Sequence, residues 1–313
     1  MTAVAGTSAV EVAAAVLGER AQRLVPVGPL TTYRVGGRAA LFVRAESADD
    51  LRLVARALAE SALPAVVLGR GSNMLVADEG YTGLVVELGA FAAQIDVAGA
   101  TVTAGAGVLL PVLARRTAAA GLTGLEWMVG IPGSVGGAVR MNAGGHGSDM
   151  ATVLAGVHIV DLASGEDYEV APAGLGLRFR GSDLGDRHVV LSTRFELAPG
   201  DRARSETEIA EIVRWRREHQ PGGQNCGSVF INPIPFELSA GEVIDELGLR
   251  GFRVGTAQVS EKHANFIQAD EDGRAADVRA VIEAVRAIVL ERRGIALRSE
   301  VRLVGFGDED GGR

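Results

Sequence analysis

The chain has 313 residues, 47% of them apolar and 22% charged, with 42 glycines, one cysteine and a formal net charge of −8. That balance excludes a disordered or collagen-like chain, and at this length two or three domains are expected, with core enough to enclose a ligand. A net negative chain without a basic run is excluded as a binder of duplex DNA or of an anionic membrane, and the lone Cys226 excludes a disulfide framework and any multi-cysteine metal site.

The first twenty residues are apolar, but they lack a basic leading segment and carry Glu11 inside the apolar run, so they predict a first helix instead of a secretory leader. No stretch reaches the ~18–20 apolar residues needed to span a bilayer, and the expected setting is the reducing cytoplasm. Residues 47–60 open with Ser47 as N-cap, place Asp49 and Asp50 in the first turn and repeat apolar residues at Leu51, Val54, Ala55 and Leu58, an amphipathic helix. Short buried strands are predicted at 65–68 and 84–88, the first ending in Gly69-Arg70-Gly71-Ser72-Asn73. Alternation over 94–102 gives way to a helix at 108–120 and then to a glycine-rich segment from Gly121 to Gly147. A hairpin is predicted where 157–162 and 168–170 flank Ser164-Gly165-Glu166, with a further strand at 188–197. After Pro199-Gly200-Asp201 the composition shifts to an arginine-rich helix, 206–218, closed by Pro221-Gly222-Gly223. Helices at 240–247 and 275–292 surround a strand-like 257–267, and 296–304 reads as a last strand.

Glycine is favoured where backbone must approach a ligand without a Cβ in the way, and N–H groups in such loops gather round phosphates. Two such loops, at 69–73 and 131–145, suggest a dinucleotide held at both ends, although tight packing of a glycine-rich protein accounts for either loop alone. A dinucleotide-fold fingerprint needs a third glycine where Met74 stands, and no phosphate-loop sequence with a lysine exists, since Lys262 is the only lysine. In Asn225-Cys226-Gly227-Ser228 a hydroxyl neighbours a thiol in a glycine-bearing turn. Read alone, Ser228 fits a turn or capping residue better than a nucleophile, and Cys226 fits a small buried hydrophobe. The five histidines show no ligand spacing, so no metal is expected. Arg178 and Arg180, if on a strand, share a face, where they are either solvated or paired for an anion, and Glu300 by default lies on a surface.

Taken in order from Thr31-Thr32-Tyr33-Arg34-Val35-Gly36-Gly37 to Glu300-Val301-Arg302, these segments resemble the UDP-N-acetylenolpyruvoylglucosamine reductases, or UDP-N-acetylmuramate dehydrogenases, in the subtype without an extra tyrosine-bearing loop. The resemblance implies an α+β fold: a two-domain FAD-binding module of the vanillyl-alcohol-oxidase (PCMH) type plus a smaller α/β substrate domain. It divides the chain into a first FAD-binding part at 1–88, to which a C-terminal strand at 300–313 returns, a second at 89–202, and a substrate part at 203–299. FAD contacts are implied for Tyr33, Arg34 and Gly36, for Gly69, Arg70, Gly71, Ser72, Asn73 and Met74, and for Ile131, Pro132, Gly133, Ser134, Gly136, Gly137, Asn142 and Gly144. Substrate contacts are implied for Asn232, Arg250, Lys262, His263 and Asn265.

The same resemblance makes Arg180, Ser228 and Glu300 the catalytic residues of an NADPH-dependent reduction of UDP-N-acetylglucosamine enolpyruvate to UDP-N-acetylmuramate in peptidoglycan precursor synthesis, by a monomer without nucleic-acid or membrane partners. Arg180 is implied as the cation that steadies charge developing beside the carboxylate, Glu300 as the polarising group and Ser228 as the proton donor. The chain departs from the family pattern at Phe179, Ile231, Arg140 and His146. Another flavin oxidase of the same fold and a non-catalytic flavin or nucleotide binder are the competing readings.

Overall fold

The computed structural model describes residues 8–235 and 237–307, and expectations about 1–7 and 308–313 fall outside them. The described chain forms two compact units, one of residues 8–25, Ala39–Gly69 and Thr82–Ala210, the other of Pro26–Arg38, Arg70–Tyr81 and 211–307.

The first unit carries two main sheets, besides two short two-stranded ones. In the smaller, the strands run in the order Gln22–Pro26, Arg38–Ala45, Tyr81–Leu88 and Ala65–Leu68, the last two parallel. Helix Ala48–Ser61 begins where expected, the Ser47 hydroxyl accepting from the Asp50 N–H at 3.2 Å. Its face of Leu51, Val54 and Leu58 is buried with Leu41, Val43 and Leu84 of the sheet. An apolar strip at helical spacing packing onto alternate strand residues is the arrangement that the two periodicities dictate. The larger sheet is antiparallel, in the order Asp167–Val170, Leu154–Asp161, His188–Glu196, Thr101–Gly105, Ile95–Ala98. It includes the expected hairpin, with Ile159 opposite Tyr168.

Helix Leu110–Ala119 and the short helix Val135–Arg140 follow the strand Thr101–Gly105 in the chain. Buried Glu126 fixes the segment between them, since its carboxylate accepts from the Thr123 hydroxyl, the Gly124 N–H and the Ser205 hydroxyl. Burial raises its pKa, but those donors and its own backbone N–H together outweigh burial and leave it below the ordinary carboxylate value.

The second unit is built on helix Ala275–Arg293, whose Val278, Val281 and Val285 share a core with Leu75, Val259 and Val301. Helix Ala240–Glu246 starts from a reciprocal cap in which Ser239 and Glu242 each satisfy the other's backbone N–H. A three-stranded antiparallel sheet runs Arg253–Val254, Ala257–Val259, Ile267–Ala269. The run read as one strand over 257–267 is therefore two, broken at 260–266, where the Ser260 N–H bonds Phe266 and the Phe266 N–H bonds His263. The strand Arg302–Val304 pairs in parallel with Met74–Val76, closing the unit with chain from both ends of the sequence. Among the described residues no helix is long and apolar enough to cross a membrane.

Candidate functional site

In the first unit the two glycine loops meet. A Cβ placed on Gly69 would lie 2.7 Å from the Ser134 hydroxyl oxygen, inside any normal contact, and one on Gly137 would lie 3.8 Å from the same atom. Gly69 thus gives room to the hydroxyl of buried Ser134, which makes no cap bond to the helix it precedes, and Gly69 and Gly137 are themselves exposed. Exposed glycine backbone of this kind fits a closely approaching phosphate-bearing group.

Arg180 is held near the same glycine-rich segment. Residues 178–181 form a tight two-residue turn, with the Arg178 and Gly181 N–H groups each bonded to the other's carbonyl, and Arg180 takes φ of +58°. The expected strand, with Arg178 and Arg180 on one face, is thus replaced by a reversal that sends the two guanidinium groups apart. Arg178 pairs with Asp183, whereas Arg180 donates to the Gly144 carbonyl at 2.9 Å, its guanidinium 5.4 Å from the centre of the Phe179 ring. A left-handed backbone at a non-glycine residue carries strain, which clusters at working sites. Asn142 is buried and fully used: its amide donates to Asp149 and to the Arg178 carbonyl and its oxygen accepts from the Ala151 N–H. It braces the turn that carries Arg180.

In the second unit, Ser228 and Glu300 occupy adjacent extended segments. The Glu300 N–H donates to the Val229 carbonyl at 2.9 Å, and Ile231 likewise bonds Arg298. On its other side the 228–230 segment is gripped by Asn265, whose backbone carbonyl accepts from Val229 N–H and whose side chain both accepts from and donates to the backbone of Phe230, at 2.9 and 2.8 Å. Asn73 does the same for the glutamate, its amide donating to the Glu300 carbonyl at 2.7 Å and its own carbonyl accepting from Arg302. Ser228 and Glu300 themselves remain half-exposed, as does Arg180.

Several residues expected to touch ligands also make contacts within the protein. Tyr33 is completely buried, so its side chain offers no surface to a flavin. Gly71 has φ of +62°, and a Cβ there would meet the Thr31 backbone at 2.6 Å, so its glycine identity serves packing of the 31–34 turn. Met74 is buried in the strand paired with Arg302–Val304. Among the substrate candidates, Asn265 is buried and bonded through its side chain to the Phe230 backbone, and Asn232 accepts from the Ala240 N–H. Arg250 makes a forked pair with Asp245 and a bond to the Glu261 carbonyl. The Lys262 ammonium is bonded to the Arg217 carbonyl. Half-buried His263 has its pKa lowered, first by burial and then by the Arg250 charge, which favours the neutral ring. Arg34, Arg70 and Pro132 are exposed, and Gly36, Ser72, Ile131, Gly133, Gly136 and Gly144 are accessible in varying degree. Sequence reasoning missed the bracing roles of Asn73, Asn142 and Asn265, for which the only signal was an amide in a loop where a backbone needs partners.

Comparison with known proteins identifies the family of the chain. Residues 219–304 match the model of the UDP-N-acetylenolpyruvoylglucosamine reductase C-terminal domain, and residues 39–194 match that of a FAD binding domain. The UDP-N-acetylenolpyruvoylglucosamine reductase of Heliobacterium modesticaldum is 43% identical over 291 residues, 92% of this chain and 92% of the relative. That of Paramagnetospirillum magneticum is 43% identical over 282 residues, 90% and 91% of the two chains. The crystal structure of UDP-N-acetylenolpyruvylglucosamine reductase from Thermus caldophilus superposes with a TM-score of 0.79 at 36% identity, covering 91% of this chain and 99% of that one.

Proposed function

The chain belongs to the UDP-N-acetylenolpyruvoylglucosamine reductase family, and from that premise we propose a division of labour among its residues. The protein is an FAD-dependent oxidoreductase that uses NADPH to reduce UDP-N-acetylglucosamine enolpyruvate to UDP-N-acetylmuramate in peptidoglycan precursor synthesis. A bound FAD would supply the redox chemistry that links NADPH to the enolpyruvyl group.

Gly69, Ser134 and Gly137, with the adjoining positions Ile131, Gly133, Gly136 and Gly144, would hold FAD. Arg180, braced through Gly144 and Asn142, sets its guanidinium against the substrate carboxylate, where negative charge grows as the double bond is reduced. Ser228 delivers the proton to the carbon that has become basic, and Glu300 on the neighbouring segment polarises and orients the group. The carrying observation is that the Glu300 N–H bonds the carbonyl of Val229, the residue next to Ser228, with Ser228 and Glu300 half-exposed and the two segments clamped by Asn265 and Asn73. A preorganised pair of this kind acts without reorganisation at the moment of reaction.

The three-part division at 88 and 202, the return of the C-terminal strand, a monomeric state and a cytoplasmic location belong to the same reading. A single chain carries every residue these roles require, and UDP-sugars and NADPH are cytoplasmic metabolites. Anaerobic mixing tests the function: NADPH should bleach the flavin, and the UDP-enolpyruvyl sugar alone should restore its colour. Failure of the sugar to reoxidise the flavin would reduce the reading to flavin binding.

A further inference from the structure

We infer that Asp149 is a positioning residue for Arg180, acting through Asn142 and Gly144, a role that rests on the one proposed for Arg180. Two contacts fix Arg180. The backbone of its turn is held at the Arg178 carbonyl, which accepts from the Asn142 amide at 3.1 Å, and its guanidinium donates to the Gly144 carbonyl at 2.9 Å. Asp149 is joined to both anchors. Its Oδ2 accepts from the Asn142 amide at 3.2 Å, and its backbone pairs antiparallel with Gly144 in a two-stranded ribbon of Gly144–Gly145 and Ser148–Asp149.

The residue type at 149 fits this use. Its other oxygen, Oδ1, caps the short helix Met150–Val153, accepting from the Thr152 N–H at 3.1 Å and from the Thr152 hydroxyl at 2.8 Å. Asparagine or serine caps a helix as well as aspartate does, but of these three only the carboxylate offers a second acceptor oxygen. That second oxygen takes the Asn142 amide. Asn142 needs the hold, since it is buried with φ of +39°, a left-handed backbone that persists at a non-glycine residue only where its surroundings fix it. The other anchor is equally close: a Cβ on Gly144 would lie 2.6 Å from the Asp149 Cβ and 2.7 Å from the Ser148 carbonyl oxygen, so only glycine lets Asp149 stand against the residue that receives the guanidinium. Asp149 therefore ties the backbone of the turn to the acceptor of its guanidinium, and a shift at Asp149 moves both.

The test compares Asp149→Asn, Thr152→Val, Arg180→Ala and the double variant of Asp149→Asn with Arg180→Ala, as FAD-loaded proteins in anaerobic stopped flow. Asp149→Asn keeps an oxygen for the Thr152 cap but sets an amide donor against the Asn142 amide. It should keep its rate of reduction by NADPH and the half-saturating concentration of the sugar, and slow flavin reoxidation by the sugar about tenfold, within the cost of a misplaced reacting group. Thr152→Val, which loses only the hydroxyl contact on the cap side, should reoxidise at the wild-type rate. In the Arg180→Ala background Asp149→Asn should cost nothing further, the mark of one shared path. Unchanged reoxidation by Asp149→Asn, an equal loss in Thr152→Val, slower reduction of Asp149→Asn by NADPH, or additive losses in the double variant would each overturn the inference. Arg180→Ala separates the two levels: if it reoxidises normally, the reading of Arg180 falls and this role with it, whereas a slow Arg180→Ala beside an unaffected Asp149→Asn overturns only the role of Asp149.

Discussion

The N–H of Glu300 donates to the carbonyl of Val229 at 2.9 Å, which brings Glu300 to the segment that carries Ser228 although 71 positions separate Val229 from it (300 − 229). That proximity depends on Asn265, which holds the far side of the same segment. Asn265→Ala leaves the buried N–H and carbonyl of Phe230 without partners, at a cost of about 1–3 kcal/mol for each such group. Urea unfolding should show the loss directly. A residue that served substrate contact alone would leave the unfolding midpoint where it was.

Gly69 and Ser134 supply the second prediction. A methyl at 69 would stand 2.7 Å from the serine oxygen, so Gly69→Ala must turn the hydroxyl away from its present direction. FAD titrated into apoprotein should bind about tenfold more weakly, the scale of one hydrogen bond to a charged group. Ser134→Ala should weaken binding by itself, and Gly69→Ala added to that variant should cost less than it does alone. Equal costs in both backgrounds would separate Gly69 from the hydroxyl.

Cys226 bears on stability at alkaline pH. Burial pushes its thiol up to about 12, against the opposing Tyr33 contact and with the Glu300 charge adding to the rise. The unfolded thiol titrates near ~8.5, so between that pH and the folded value the unfolded state has lost a proton that the native state keeps. Stability is therefore untouched below that window and falls as pH rises through it, with a slope approaching ~1.4 kcal/mol per pH unit for one proton. Urea midpoints measured across alkaline pH should decline less steeply in Cys226→Ala, and parallel slopes would contradict the account.

Long periodic elements were readable from sequence because one face of each meets a core: helix Ala48–Ser61 with its Ser47 cap and the hairpin at Leu154–Asp161 follow from spacing and turn residues. The strand Arg38–Ala45 was not read, although Ala39, Leu41, Val43 and Ala45 alternate into the core, because two glycines before it draw attention to a loop. The turn at 178–181 was unreadable for a different reason. Leu177-Arg178-Phe179-Arg180 alternates like a strand, and only the left-handed Arg180 ahead of Gly181, a tertiary outcome, reverses it. At the site, motif order identified which segments matter but not whether a side chain faces a ligand or the interior. Tyr33 and Asn265 are polar residues in ligand-rich segments, and burial alone distinguishes them from Ser228.

The central claim is that Ser228 acts as proton donor and not as a turn residue, and half-reactions of Ser228→Ala measured anaerobically test it most directly. Reduction of the flavin by NADPH should persist at the wild-type rate, while reoxidation by the UDP-enolpyruvyl sugar should fall by about 10²–10⁴, the usual contribution of a positioned acid. Reoxidation at the wild-type rate would contradict it.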